Sequence, residues 1–369
     1  MPARRPRSGC GRGDRLPTIP ARVFRRLAVA SLVLEALIVV SGSAVRLTGS
    51  GLGCSDWPTC SKGHLTPPLQ FHSLVEFGNR MVTVVLVVVV GVTFVAALRR
   101  RPFRRDLAWL SGGLVAGILA EAVVGGIVVY TKLNPYLVML HFVTTVALLG
   151  MAVVLLHRAG RDYSPGSGRL LVPRPILLLG RGLVVLLAVV LVAGSATTGA
   201  APDAGGASGQ LVAKRIPVPL RDLAELHSTL ALFLVGVALA TAVALHALDV
   251  PERVRRAGRM LVLVLVAQAA IGYIQYFTHL PAAVVELHEL GATALVIGTI
   301  QLFLALTHHR TEPAVVEASA PVAVAERGAV AGAERGVVAG APGAGSMVTT
   351  ARLADGGSST PGEPGRTGW

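Results

Sequence analysis

The feature that most constrains this chain is a series of eight long apolar runs. They cover roughly residues 24–45, 74–98, 107–130, 136–157, 175–197, 222–247, 259–278 and 282–307. About 20 apolar residues in an α-helix cross the hydrocarbon core of a bilayer. Only 15% of the residues are charged, whereas a soluble domain carries about a quarter. We therefore predict an all-α polytopic membrane protein with eight transmembrane helices.

The basic residues predict how these helices are oriented. The net charge of +14 could indicate a nucleic-acid partner, but the arginines are concentrated in the first tail and in every second connection between spans. They are Arg22, Arg25, Arg26, Arg99, Arg100, Arg101, Arg104, Arg105, Arg158, Arg161, Arg169, Arg174, Arg253, Arg255, Arg256 and Arg259. Cytoplasmic loops of membrane proteins carry such an excess. We predict cytoplasmic N- and C-termini, an external loop at 46–73, contact with membrane lipid, and no nucleic-acid partner.

The chain also contains an internal repeat. The segments AEAVVGGIVVYTKL (120–133) and AQAAIGYIQYFTHL (267–280) align at an offset of 147 residues, which also places His141 on His288. The repeat unit is four spans, so both copies share one orientation and a pseudo-two-fold axis along the membrane normal. We predict two pseudo-symmetric four-helix bundles. The predicted domains are a basic cytoplasmic tail (1–21), an N-terminal half (22–158), a cytoplasmic linker (159–174), a C-terminal half (175–308) and a disordered cytoplasmic tail (309–369).

The external loop contains GCSDWPTC, with Cys54 and Cys60 flanking a Trp-Pro pair. Such a loop could bind a metal, form a covalent staple or carry out redox chemistry. Two cysteines are too few for a closed zinc site, and disulfides persist in the oxidising compartment outside the membrane. We predict a Cys54–Cys60 disulfide that holds a lid over the N-terminal half, and a redox role for it remains open.

Three histidines lie inside apolar spans rather than at span ends. His141, His227 and His288 each follow the predicted outer end of their span by about six residues, which is roughly 9 Å along a helix. The structural alternative is a buried histidine hydrogen-bonded to a neighbouring helix. Three at one depth favour a functional site, and a helical bundle that offers imidazoles from facing helices is suited to haem ligation.

Other polar residues accompany these histidines. Span 2 opens with VEFGNRM, which places Glu76 at the depth of the histidines, Asn79 one turn further and Arg80 beside it. Arg80 could pair with haem propionates or with lipid phosphates. Glu121, at the repeat position of Gln268, is predicted to hydrogen-bond within the bundle.

Six motifs together resemble the haem A synthase family. They are GSAVRLTGSGLGCSDWPTC, VEFGNRM, GGIVVYTKLNPYLVMLH, GSATTG, ELHSTLA and QAAIGYIQYFTHLPAAVVELHELGA, within about residues 24–308. The resemblance implies a bacterial plasma-membrane oxidoreductase of porphyrin biosynthesis. It implies that the C8 methyl of haem O is oxidised to a formyl group by successive hydroxylations, giving haem A for terminal oxidases.

The resemblance also implies the roles of individual residues. His227 and His288 are the expected axial ligands of a haem b cofactor in the C-terminal half. His141 is the expected iron ligand of the substrate haem, with Asn79 on its other face. The family pattern has a histidine at the position of Asn79, so the substrate iron is expected to be open or weakly bound there. Arg80 belongs to the same expected site.

Glu76 resembles the acidic residue of the family's substrate site and is expected to serve in proton transfer. By pathway logic, haem O synthase, the protohaem farnesyltransferase, is an expected partner, and the electron acceptor is unassigned.

Two other functions fit a helical bundle with these histidines. A b-type cytochrome subunit would only pass electrons through the membrane, and a transporter with parallel repeats would bind no haem.

Overall fold

The computed structural model describes residues 18–61, 63–64, 66–160, 169–170, 172–201, 214–307 and 309–310. Within these residues the chain forms eight α-helices. They are α1 (Ala21–Leu47), α2 (Phe71–Arg99), α3 (Arg105–Tyr130), α4 (Pro135–Ala159), α5 (Arg174–Ala200), α6 (Leu220–His246), α7 (Glu252–Phe277) and α8 (Ala282–Leu306). Each helix is long and apolar enough to cross a membrane. The prediction of an all-α polytopic membrane protein with eight transmembrane helices is confirmed.

Proline marks the start of most of these helices. Pro20, Pro173, Pro219, Pro251 and Pro281 stand immediately before α1, α5, α6, α7 and α8. A proline at this point has a φ angle that suits the helix entry, and its missing N–H costs nothing because the first N–H groups of a helix have no intrahelical partner. The prolines therefore fix where the spans begin.

Helix α7 begins at Glu252, seven residues before the predicted span at 259–278. Arg253, Arg255 and Arg256 therefore lie on the helix rather than in a connection, which corrects the sequence-based boundary. Glu252 accepts hydrogen bonds from Arg255 at 2.9 Å and from Arg259 at 2.6 Å. The apolar run does not include this segment because the segment is polar. The segment is nevertheless helical, since its charged side chains pair with one another along the helix surface.

The helices pack as two four-membered groups. In each group every helix contacts the next and the last contacts the first, as α1–α2–α3–α4 and α5–α6–α7–α8. Contacts of α8 with α1 and α4, and of α4 with α5, join the groups. The shared core includes the fully buried side chains of Phe24, Leu86, Leu107, Leu149, Leu183, Leu234 and Leu302. The predicted halves and their pseudo-symmetry stay predictions.

The connections α3–α4 and α7–α8 have the same unusual backbone. Lys132 and Leu133 have φ angles of 56° and 57°, and His279 and Leu280 have φ angles of 63° and 59°. The N–H of Leu133 reaches back to the Val128 carbonyl at 2.9 Å, which closes the end of α3. Left-handed residues other than glycine are costly, so a shared pair of them shows that these two connections follow one design.

A short two-stranded ladder was not predicted. Strand β1 (Arg169–Leu170) pairs antiparallel with β2 (His309–Arg310). It joins the predicted linker (159–174) to the first residues of the predicted tail (309–369), and two residues are too few to leave an alternating pattern in the sequence. The rest of that tail and residues 1–17 of the basic tail lie outside the described residues.

Candidate functional site

Two histidines face each other in the C-terminal group. The rings of His227 on α6 and His288 on α8 have centroids 6.3 Å apart and planes at 76°. Small residues make room for them. A Cβ added at Gly194 on α5 would lie 2.9 Å from Cε1 of His227, and one at Gly272 on α7 would lie 3.3 Å from Cε1 of His288. Both rings are therefore held between helices that approach closely.

Each ring of this pair keeps a nitrogen that can bind a ligand. His227 Nδ1 lies 3.1 Å from the Val190 carbonyl. A carbonyl can only accept, so Nδ1 carries the proton and Nε2 keeps its lone pair. Among the described residues, His288 Nδ1 is buried without a hydrogen-bond partner. A metal ion between two imidazoles, with bonds of about 2 Å and roughly 1.1 Å from each nitrogen to its ring centre, separates the ring centres by about 6 Å. The observed spacing fits such an ion.

A cavity of about 330 Å³ surrounds this pair. Its walls come from α5, α6, α7 and α8 and are mostly apolar. They include Leu187, Val190, Leu191, Leu234, Leu265, Tyr273 and Tyr276. Within the described ranges no group of three or more His, Cys, Asp or Glu side chains could hold a metal ion. An ion between the two histidines would take its other ligands from outside this set of side chains, and an apolar cavity with few polar groups suits a bound macrocycle.

The third histidine lies in the N-terminal group. His141 projects from α4, and its side chain is 40% exposed. Its Nδ1 contacts the carboxylate of Glu121 on α3. The hydroxyls of Thr144 and Thr145 donate to the two oxygens of that carboxylate. The prediction that Glu121 hydrogen-bonds within the bundle is confirmed. Its contact with a candidate ligand was not predicted, because that contact depends on how α3 and α4 are rotated against each other.

Glu76 and Arg80 form a linked pair beneath the external loop. Glu76 is 6% exposed. One carboxylate oxygen accepts from the Cys54 backbone N–H at 2.8 Å, and the other accepts from Arg80 at 2.6 Å. Arg80 also donates to the carbonyls of Asp56 and Thr59, both at 2.9 Å. These bonds give Arg80 a role in anchoring the loop, which the sequence did not indicate.

The predicted disulfide is present. Cys54 and Cys60 are bonded to each other, and each is 1% exposed. The hydroxyl of Ser73 on α2 donates to the Gly53 carbonyl at 2.6 Å, which ties the loop to the start of that helix. The alternative of a metal site is therefore set aside, and a redox role for the disulfide stays a prediction.

The disulfide loop also packs against α3. A Cβ added at Gly126 would lie 2.9 Å from Cδ2 of Trp57, and Tyr130 donates its hydroxyl to the Trp57 carbonyl at 2.8 Å. The adjacent Gly125 contacts His141, since a Cβ there would lie 3.7 Å from Cε1 of that ring. One turn of α3 thus supports the loop and the histidine together, which is the arrangement expected of a lid over the N-terminal half.

Asn79 is held from α1. Its side-chain oxygen accepts a hydrogen bond from the Ser41 hydroxyl at 2.7 Å. The neighbouring Gly42 has open space, because no atom lies within 4 Å of a Cβ added there. Gly194 on α5 instead meets the His227 ring. At Gly42 the N-terminal group therefore lacks the close glycine–imidazole packing that Gly194 provides in the C-terminal group.

Comparison with known proteins adds to this geometry. Residues 25–74 and 68–300 match the model of the COX15-CtaA family, described as "Cytochrome oxidase assembly protein". The chain is 33% identical over 143 residues to the Heme A synthase of Geobacillus thermodenitrificans, covering 37% of this chain and 44% of the relative. It is 34% identical over 127 residues to that of Geobacillus kaustophilus, covering 34% and 39%. It is 24% identical over 277 residues to that of Staphylococcus carnosus, covering 74% and 90%. In the first two matches, the chain spans less than half of the relative's length.

Proposed function

The chain belongs to the COX15-CtaA family of cytochrome oxidase assembly proteins, and on that premise we propose that it is a haem A synthase. It would oxidise the C8 methyl of haem O to a formyl group by successive hydroxylations and so supply haem A to terminal oxidases. The curated relatives named Heme A synthase support this activity. The observation that carries it is the pair His227 and His288, spaced for one iron across an apolar cavity.

In this proposal the C-terminal half holds a haem b cofactor. His227 and His288 would hold its iron, and Gly194 and Gly272 let their rings lie between the helices. The Val190 carbonyl fixes the tautomer of His227 and leaves Nε2 with a lone pair that could bind the iron. When bound, the haem supplies one-electron redox chemistry. The apolar walls keep water from the iron.

The N-terminal half holds the substrate haem. His141 is the proposed ligand on one face of the iron, and Asn79 lies toward the other face. An amide is a poor iron ligand, and the Asn79 oxygen is already bonded to Ser41. That face of the iron is then open for the oxidation.

Glu76 is the proposed catalytic residue in this half. Conversion of a methyl to a formyl group takes up the oxygen of a water molecule and releases protons and electrons, so an acceptor for protons beside the methyl group is required. The Cys54 backbone N–H and Arg80 hold the Glu76 carboxylate in place. Arg80 contributes to the substrate site by fixing both Glu76 and the loop. The electrons pass to an external oxidant.

The same proposal places the protein in a bacterial plasma membrane. Both termini would be cytoplasmic and the Cys54–Cys60 loop would be outside. The protohaem farnesyltransferase that forms haem O is the proposed partner, because its product is poorly soluble and would be transferred within the membrane.

The test is co-expression of the full chain with a source of haem O, followed by pigment extraction from the membranes. The proposal predicts haem A in cells with the chain and haem O alone in cells without it. Folded protein that carries haem b but yields no haem A would favour a b-type cytochrome subunit. A colourless purified protein would favour a transporter. Either result would overturn the proposed activity.

A further inference from the structure

The three candidate ligand histidines differ in what their Nδ1 atoms face. His227 Nδ1 faces the neutral carbonyl of Val190. His288 Nδ1 has no hydrogen-bond partner in the part of the chain that the structure describes. His141 Nδ1 contacts the carboxylate of Glu121, although no hydrogen bond to that nitrogen is formed among the described residues. Of these three rings, only His141 thus has an acidic side chain against it.

The carboxylate is fixed in this position. Its side chain is only 13% exposed. The hydroxyls of Thr144 and Thr145, which lie on the same helix as His141, donate to its two oxygens. Thr145 also lies 2.7 Å from the His141 carbonyl, one turn earlier on α4. Glu121 is therefore bound to the segment of α4 that presents the ring.

The C-terminal half has a neutral side chain at the matching position. Gln268 lies 147 residues after Glu121, at the repeat offset. It is 6% exposed, and its amide donates to the backbone carbonyl of His288 at 2.6 Å rather than to the ring. In both halves a side chain at this repeat position therefore contacts the histidine-bearing helix. In the N-terminal half it is a carboxylate that contacts the imidazole ring, whereas in the C-terminal half it is an amide that contacts the backbone.

We propose that Glu121 is a positioning residue for the N-terminal haem. Its carboxylate accepts the Nδ1 proton of His141 in a hydrogen bond, so Nε2 faces the haem, and it makes this imidazole a stronger electron donor than His227 or His288. A carboxylate behind a ligating histidine fixes the ring and raises its basicity. An electron-rich axial ligand favours ferric over ferrous iron. The inference rests on the proposed function, in which the N-terminal haem is the one that is oxidised.

The experiment is a redox titration of the haem-loaded full chain in lipid nanodiscs, with Glu121→Gln against wild type. The band of the N-terminal haem is identified by its loss in His141→Ala. Removing the hydrogen-bond partner of a metal ligand costs about tenfold or more in metal affinity or activity. A tenfold loss of preference for ferric iron raises a one-electron midpoint potential by about 59 mV. The potential of the C-terminal haem should not move.

Glu35→Gln is the matched control. Glu35 is a carboxyl on α1 of the same half, is 1% exposed, and has an oxygen without a hydrogen-bond partner among the described residues. It interacts electrostatically with Glu121 but forms no ion pair with His141, so it controls for a nearby carboxyl that does not contact the ring. If Glu121 acts through its contact with His141, the midpoint potential of the N-terminal haem should shift clearly less in Glu35→Gln than in Glu121→Gln. An unchanged N-terminal potential in Glu121→Gln, or equal shifts in both variants, would overturn the inference.

The iron–histidine stretching band of the ferrous N-terminal haem gives a second readout. It should fall in frequency in Glu121→Gln, because the imidazole becomes a weaker donor, and an unchanged band would contradict the proposal. These measurements need bound haem but no turnover. If wild type takes up haem and makes no haem A while both shifts appear, the proposed function fails and the role of Glu121 stands.

Discussion

Two histidines of the C-terminal half carry the proposed cofactor, and each can be tested alone. His227→Ala or His288→Ala should reduce retained haem b by at least about tenfold. Removing only the hydrogen-bond partner of a metal ligand already lowers metal affinity about tenfold, and loss of the ligand itself should lower it further. The reduced-minus-oxidised spectrum of the purified protein measures this loss. His246→Ala, at the other end of α6, is the control and should keep the full spectrum. Full haem b in both site variants would refute the axial assignment.

Position 194 has no room for a side chain, because the His227 ring lies against it. The added Cβ of Gly194→Ala would lie 2.9 Å from His227, and such overpacking costs about 1–3 kcal/mol. We expect a lower thermal midpoint and weaker haem b retention. Gly236→Ala on α6 is the matched control, because nothing lies within 4 Å of its added Cβ. That change should be neutral or stabilise by about 0.5–1 kcal/mol. Similar behaviour of the two variants would contradict the packing described for His227.

For single residues, the sequence predicts the positions of the candidate residues along their helices better than their contacts. The depth of His141, His227 and His288 follows from counting along apolar runs. The contact of Glu121 with His141 does not, because it depends on helix rotation. The bonds of Arg80 to loop carbonyls are also unpredictable, since the loop has no regular pattern that would place its backbone.

Among the structural elements, the disulfide loop is the one whose loss should affect the N-terminal half alone. It packs through Trp57 on Gly126 and binds Glu76 through the Cys54 N–H. Replacing both Cys54 and Cys60 by serine should cost about 2 kcal/mol and lower the haem A yield. The haem b spectrum should be retained, because the loop does not line the C-terminal cavity. The readouts are thermal unfolding and pigment analysis.

The third cysteine supplies the control for this loop variant. Cys10→Ser should leave both the thermal midpoint and the haem A yield unchanged. Loss of haem b in the double variant, with haem A synthesis otherwise normal, would contradict the placement of the loop over the N-terminal half.

The helices themselves are largely predictable. Seven of the eight spans begin and end within about three residues of the predicted limits, since apolar length and flanking prolines fix both ends. Helix α7 is the exception, because Arg255 and Arg259 interrupt the apolar pattern while their pairing with Glu252 continues the helix. The ladder between β1 and β2 is too short to predict.

At the scale of the whole molecule, the charge pattern predicts orientation. In intact cells, a membrane-impermeant maleimide should label Lys132→Cys in the α3–α4 connection but not Arg101→Cys in the α2–α3 connection. Cys10→Ser serves as the background for both variants. The expected difference follows from the arginines beside Arg101, which are retained on the cytoplasmic side. The reverse labelling would contradict the predicted topology.

The two halves are proposed to bind different haems, and Glu76→Ala should affect only the half that binds the substrate. The measurement is the pigment composition of membranes in which this variant is co-expressed with a haem O source, together with the redox spectrum of the purified protein. Glu76 lies in the N-terminal half, away from His227 and His288. The variant should keep the full haem b spectrum while haem O or a hydroxylated intermediate accumulates and haem A is lost. Bleaching of haem b, or normal haem A synthesis, would contradict the assignment of the substrate to the N-terminal half.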